Sequence, residues 1–198
     1  MLLKLSTVTP RAAKAKGRRT LVLLALFALS PIVASYAAYY WFVPAKRINY
    51  GELLEARPAP AIAGLNADGT AFRLAQLRGR WLLVIVTAGE CGGECLRALY
   101  ATRQARTMQG REQERIVRVW LRPADASSPS AEMLAPHPGL VTARFDRGQL
   151  GRLPINADSD GILLIDPHGN LVLRYDADPD IKRLSKDLER VLRASQIG

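Results

Sequence analysis

The sequence has no glycine-rich phosphate fingerprint following a strand, which removes the common nucleotide- and flavin-binding folds. It also lacks a serine or cysteine set beside a recognisable base and orienting group, so hydrolase chemistry has no basis. No internal repeat is visible, which excludes a solenoid or propeller. Acidic residues are missing from the first 19 positions, and charge of either sign is missing from the 24 residues between Thr20 and Val43. There are only two cysteines and two histidines.

What is present is otherwise ordinary. Of the 198 residues, 48% are apolar and 23% charged, which argues against both disorder and a many-span transporter. The formal net charge of +10 could suggest nucleic acid, but Lys4, Arg11, Lys14, Lys16, Arg18 and Arg19 alone supply +6 of it. The remaining 22 basic and 18 acidic residues are mixed rather than blocked, as on a solvated surface. With no recognition motif beside the charge, nucleic acid is not an expected partner.

The uncharged run TLVLLALFALSPIVASYAAYYWFV is long enough to cross a bilayer as a helix, for which about 20 apolar residues suffice. Pro31 interrupts it, which membrane helices tolerate. Tyr36, Tyr39, Tyr40 and Trp41 gather at its C-terminal end, where amphipathic rings favour the interface. The basic flank lies at the other end, and the positive-inside bias then puts residues 1–19 in the cytoplasm and the bulk of the chain across the membrane. A cleaved signal peptide is the rival, but its apolar core is normally shorter, and Ala34-Ser35-Tyr36-Ala37 is a poor cleavage match. The expected organisation is a cytoplasmic basic tail over 1–19, a transmembrane helix over 20–43, a linker over 44–60 and a folded domain over 61–198. A bacterial inner membrane with a periplasmic domain is the first expectation, and a mitochondrial inner membrane the second.

Within the exported part, Arg57-Pro58-Ala59-Pro60 reads as a stiff linker. Ala67-Asp68-Gly69-Thr70 marks a hairpin turn between two short apolar runs. Trp81 to Thr87 is a continuous aliphatic and β-branched run, the pattern of a strand buried on both faces. It leads into Cys91-Gly92-Gly93-Glu94-Cys95 and then a helical stretch reaching about Met108. Further strands are expected at Arg115–Leu121, Val141–Phe145, Gly161–Ile165 and Leu171–Tyr175, the last two joined by Asp166-Pro167-His168-Gly169-Asn170. Asp178-Pro179-Asp180 caps a final amphipathic helix with Ile181, Leu184, Leu188, Val191 and Leu192 on one face.

That order is the order of a thioredoxin-like α/β domain. The stretch Phe72 to Val86, the Cys91/Cys95 pair and the Ile165–Gly169 turn, together with the single N-terminal anchor, resemble the Sco/SenC family over roughly residues 60–195. The resemblance implies a thioredoxin-like fold, a role in cytochrome c oxidase assembly, thiol reduction, and delivery of Cu(I) through Cys91 and Cys95. At a helix N-terminus the free amides and the dipole favour a thiolate, the species that attacks disulfides or binds Cu(I). Cysteines at i and i+4 can close a disulfide or clamp a soft ion. A static bridge is the plain alternative, although so short a loop constrains the unfolded chain little.

The chain departs from the family at several places. The family's histidine before the Asp-Pro hairpin falls near Asp158-Ser159-Asp160, where no histidine stands. Gly92 and Leu96 replace the usual prolines, and no proline precedes Gly161. Glu90 and Glu94 oppose thiolate formation. His168 reads as a turn residue. His137, with Met133 four residues earlier, is a candidate third soft ligand. Asp176, Asp178 and Asp180 read as capping and solvated residues, Asp158 and Asp160 as turn residues.

Three functions follow, of which the first, with thiol-disulfide exchange as its mechanism, is the expected one and the others are its alternatives. One is an assembly factor acting on a copper-bearing oxidase subunit. Another is a general exported thiol-disulfide oxidoreductase acting on proteins with cysteines, with Cys91 attacking and Cys95 resolving. The third is a noncatalytic membrane-tethered module with a structural disulfide.

Overall fold

The apolar N-terminal run and the alternating remainder fold as two separate compact units, Met1–Arg47 and Ile48–Gly198. The computed structural model describes residues 11–41, 49–156 and 159–195. The end of the expected span at Phe42 and Val43, the first part of the expected linker, most of the basic tail, and Asp158 lie outside the described residues.

In the first unit, helix α1 runs Arg11–Trp41, so the helix extends back into the basic flank. Its segment Gly17–Tyr40 is long and apolar enough to cross a membrane. Pro31 has no N–H to give the carbonyl of Phe27, one turn back. The Ser30 hydroxyl donates to that carbonyl at 2.9 Å, so the proline leaves no stranded acceptor at that turn.

The second unit is built on an eight-stranded mixed sheet. Its strands are β1 (Glu52–Pro58), β2 (Ala63–Asn66), β3 (Ala71–Arg73), β4 (Trp81–Val86), β5 (Ile116–Pro123), β6 (Val141–Phe145), β7 (Gly161–Ile165) and β8 (Asn170–Asp176), in the order β1-β8-β7-β4-β5-β6-β2-β3. β4 runs parallel to β5, and β5 parallel to β6, while the other pairings are antiparallel. Every residue of β4 is buried, as its unbroken apolar run predicts for a central strand covered on both faces.

Alternation along β4 feeds two cores. Trp81, Leu83 and Ile85 face helices α2 (Gly93–Thr107) and α4 (Ile181–Ala194), where they meet Leu99, Leu184, Leu188 and Leu192. Leu82, Val84 and Val86 face the opposite side, with Phe72, Phe145, Leu150 and Leu163. Burying each such side chain contributes about 1.5–3 kcal/mol. The β5–β6 connection is a long excursion holding only the four-residue helix α3 (Ala131–Leu134), capped by Ser130.

The expected hairpins both form. Gly69, at φ +83, turns β2 into β3, and Gly169, at φ +89, turns β7 into β8. The expected helix cap is also present, since the Asp180 carboxylate accepts from the Arg183 amide at 2.8 Å.

The linker expectation is corrected over its second half. Residues 52–58, read as a proline-rich spacer, are strand β1, paired antiparallel to β8 through Glu52↔Arg174 and Pro58↔Asn170. Pro58 is admissible because β1 is an edge strand, where a missing donor costs no ladder bond. Just before β1, the amides of Tyr50 and Gly51 both donate to the Asp187 carboxylate of α4 at 2.9 Å, which fastens the entering chain to the helix layer.

Candidate functional site

Strand β4 delivers the cysteines by ending where it does. Its last residues pair with the start of β7, Val86 opposite Gly161. Thr87 then locks to β5, its amide donating to the Leu121 carbonyl at 3.0 Å and its hydroxyl accepting from the Trp120 indole at 3.3 Å. The chain turns through Ala88–Cys91, and Gly92 takes the N-cap position of α2.

Cys91 and Cys95 are joined as a disulfide, with Cα atoms 5.2 Å apart. Cys91 is half-buried just ahead of the helix, whereas Cys95, in the first turn, is fully buried against Leu99 and the first core. One sulfur thus sits near the surface and the other beneath it.

Three carboxylates flank this turn. Glu90 accepts from the Ser127 amide at 2.8 Å and hydroxyl at 3.1 Å, tying the turn to the β5–β6 excursion. The same excursion is gripped by Arg122, which donates to the carbonyls of Ala126 at 3.0 Å and Ser127 at 2.9 Å. Glu94 is exposed in the first turn of α2. Asp160, read from the sequence as a turn residue, instead accepts from the Ala88 amide at 3.0 Å, three residues before Cys91. Burial pushes its carboxyl above the usual carboxylate range and Glu94 pushes it further, against a counter-pull from the Ala88 amide.

The other candidates scatter. His168 lies in the β7–β8 turn, beside Gly79, whose amide donates to the Pro167 carbonyl at 2.9 Å. Because Leu82 pairs with Ile165 and Val86 with Gly161, that turn is at the opposite end of the sheet from the cysteines. Asp180 caps α4, and Asp178 pairs with Arg97 at 2.9 Å. Among the described residues no group of three or more histidine, cysteine, aspartate or glutamate side chains is gathered to hold a metal ion. With both sulfurs already bonded to each other, the donor set of this form does not fit a copper centre.

His137 lies near enough to two arginines, Arg118 and Arg103, to feel their charge. Arg118 of β5 is 2% exposed, donates to the Leu99 carbonyl at 3.3 Å, and keeps a second guanidinium nitrogen buried without a partner. Burial, with Arg106 and Arg103 nearby, brings its pKa down to about 10. The His137 Nδ1 is likewise buried and unpartnered, and burial, then Arg118 and Arg103, push the imidazole below its ordinary value. A depressed histidine contributes stability that is complete above the ordinary value near 6.5 and is lost as pH falls through the folded value. Unfolding measured at neutral and mildly acidic pH is expected to show this loss, and His137→Gln to remove its share. An unchanged pH dependence in the variant would count against the assignment.

These neighbours were hidden from the sequence. Asp160 is one polar residue in a polar stretch, and Arg118 and Arg122 look like surface charges until β5 is seen to alternate Ile116, Arg118, Trp120, Arg122 toward the helices. That alternation, read two residues at a time, was the available signal.

The model of the family described as transmembrane-like, thioredoxin-like, C-terminal domain matches residues 81–195. The chain belongs to this family. No curated relative matches the sequence. The family's fold is shared with solved structures of low identity. The apo Sco1 protein of Thermus thermophilus is 18% identical with a TM-score of 0.58, over 74% of this chain and 99% of that one. Copper-bound yeast Sco1 is 15% identical at 0.58, over 70% and 96%. A thiol:disulfide interchange protein of the DsbE type from Chlorobium tepidum is 20% identical at 0.53, over 72% and 98%. Such identities show the thioredoxin-like fold, and the apolar helix ahead of it, Gly17–Tyr40, is a candidate membrane span, as in a single-pass membrane protein.

Proposed function

We propose that the chain is a membrane-anchored thiol-disulfide oxidoreductase of the non-cytoplasmic side, acting on exported proteins that carry cysteines. The observation that carries this reading is the pairing of a half-buried Cys91 with a fully buried Cys95 across the N-terminus of α2. In the reduced form the Cys91 thiolate attacks a partner disulfide, forming a mixed disulfide and releasing one partner thiolate. The Cys95 thiol then loses its proton and attacks the Cys91 sulfur. The intramolecular bridge forms, the second partner sulfur leaves as a thiolate, and two electrons have passed to the partner. The amides around Gly92 favour the attacking thiolate, and the carboxylates of the turn oppose it.

The finer reading is a part in cytochrome c oxidase assembly, with the copper-bearing subunit as partner and thiol chemistry as the mechanism. Likeness to the Sco1 structures supports it. Direct Cu(I) transfer would rest on two sulfurs without a third ligand, so we derive no step through copper. The basic residues ahead of the uncharged run over 20–43 support an orientation with the N-terminus in the cytoplasm, in a bacterial inner membrane.

The test is equilibration of the full chain, held in detergent, with mixtures of reduced and oxidised glutathione. A reversible two-electron couple is the expected result. A bridge that resists excess thiol while the domain stays folded would leave only a structural staple. Adding Cu(I) to the reduced chain under a competing chelator is expected to give no tight stoichiometric binding. Tight binding lost in Cys91→Ser would restore the copper-delivery reading.

A further inference from the structure

Three carboxylates surround the cysteine turn, against one close cation, Arg97, whose guanidinium lies beside Gly93. Glu90 is engaged by Ser127, and Arg122, which lies near enough to Glu90 to feel its charge, spends its own donors on the carbonyls of Ala126 and Ser127. Arg97 of α2 is taken by Asp178. Glu94 and Asp160 remain, and among the described residues neither has an ion-pair partner. Glu94 immediately precedes Cys95, and Asp160 holds the amide that begins the Cys91 turn.

We infer that Asp160 is a positioning residue for disulfide exchange, holding the Cys91 turn through Ala88 and, together with Glu94, setting negative charge against the reduced pair so that it persists as a dithiol rather than a thiolate. The inference rests on the oxidoreductase reading and adds a direction to it. A thiolate-stabilising site makes its reduced form stable and its disulfide a strong oxidant. A site that withholds that stabilisation leaves the dithiol as the electron donor, and the partner's disulfide as the group reduced. Burial of Cys95 acts the same way, since removing a thiolate from water raises the thiol's pKa. Re-reduction of the bridge then requires a dithiol donor on the same side of the membrane.

Asparagine separates the two roles of Asp160, because its side-chain oxygen can still accept from Ala88 while the charge is gone. In the reduced full chain in detergent, Asp160→Asn is expected to lower the midpoint of the thiolate ultraviolet absorbance by about one pH unit. Alkylation by iodoacetamide near neutral pH should rise about threefold, the larger thiolate fraction being offset in part by lower intrinsic nucleophilicity. Asp160→Glu should restore the midpoint, and Glu94→Gln, at an exposed position that leaves the fold alone, should shift it in the same direction as Asp160→Asn. An unmoved midpoint in both Asp160→Asn and Glu94→Gln would overturn the inference and leave the oxidoreductase reading standing. A wild-type bridge that cannot be reduced would overturn both, and that is seen before any variant is compared.

Discussion

Cys91→Ser is expected to abolish exchange with a model disulfide, whereas Cys95→Ser is expected to arrest it halfway as a stable mixed disulfide with the partner. The asymmetry follows from burial. The half-buried sulfur can be reached by another protein, and the sulfur beneath it can reach only its neighbour one helical turn away. Without Cys95 the first attack still occurs, but nothing displaces the partner, and the adduct should appear on a non-reducing gel and vanish with added thiol. Stability should separate the variants less sharply. Opening a loop this short removes about 2 kcal/mol of unfolded-state constraint, and Cys95→Ser adds the cost of a hydroxyl in a site built for sulfur. Cys91→Ser therefore gives the cleaner reading of chemistry. Equal loss of activity with no trapped adduct in Cys95→Ser would mean that Cys91 is not the attacking group.

Legibility of the fold followed burial. β4 could be read because all six of its residues are apolar and inside, and α4 because its leucines repeat on one face. β1 could not, because its residues are almost all exposed and its one feature, Pro58, is what a linker also carries. An edge strand that contributes little to the core leaves little pattern in its sequence. At the site, the cysteines stood out by type, but the groups that modulate them did not. Glu90 reads only as an acid beside a thiol until Ser127, 37 positions later, is seen to occupy it. Asp160 lies 72 residues from the amide it holds. Contacts of that range are set by strand order, here β7 beside β4, and strand order is what local spacing does not encode.

The same limit applies to Asp187, whose loss is expected to have the largest effect on stability. It lies three residues after Leu184 and four before Val191, on the apolar face of α4, and is 1% exposed. Its carboxylate accepts from the amides of Tyr50 and Gly51 at 2.9 Å and from Arg190 at 3.0 Å, and the Tyr175 hydroxyl approaches at 3.4 Å. Asp187→Ala would strand the Gly51 amide and the Tyr175 hydroxyl in the interior, each at about 1–3 kcal/mol, while Tyr50, more exposed, can turn to water. A loss of about 3 kcal/mol is therefore expected in urea unfolding of the full chain in detergent, with Asp187→Asn intermediate because one acceptor oxygen remains. A chain begun at Ala61, where the linker reading would cut it, lacks Tyr50, Gly51 and all of β1, so it should already be weakened. Asp187→Ala should then cost much less in that background than in the full chain, since the amide donors are gone. Equal cost in both would mean that Asp187 stabilises α4 through Arg190 and Tyr175 alone, and that the anchor-proximal segment is held only by its pairing with β8.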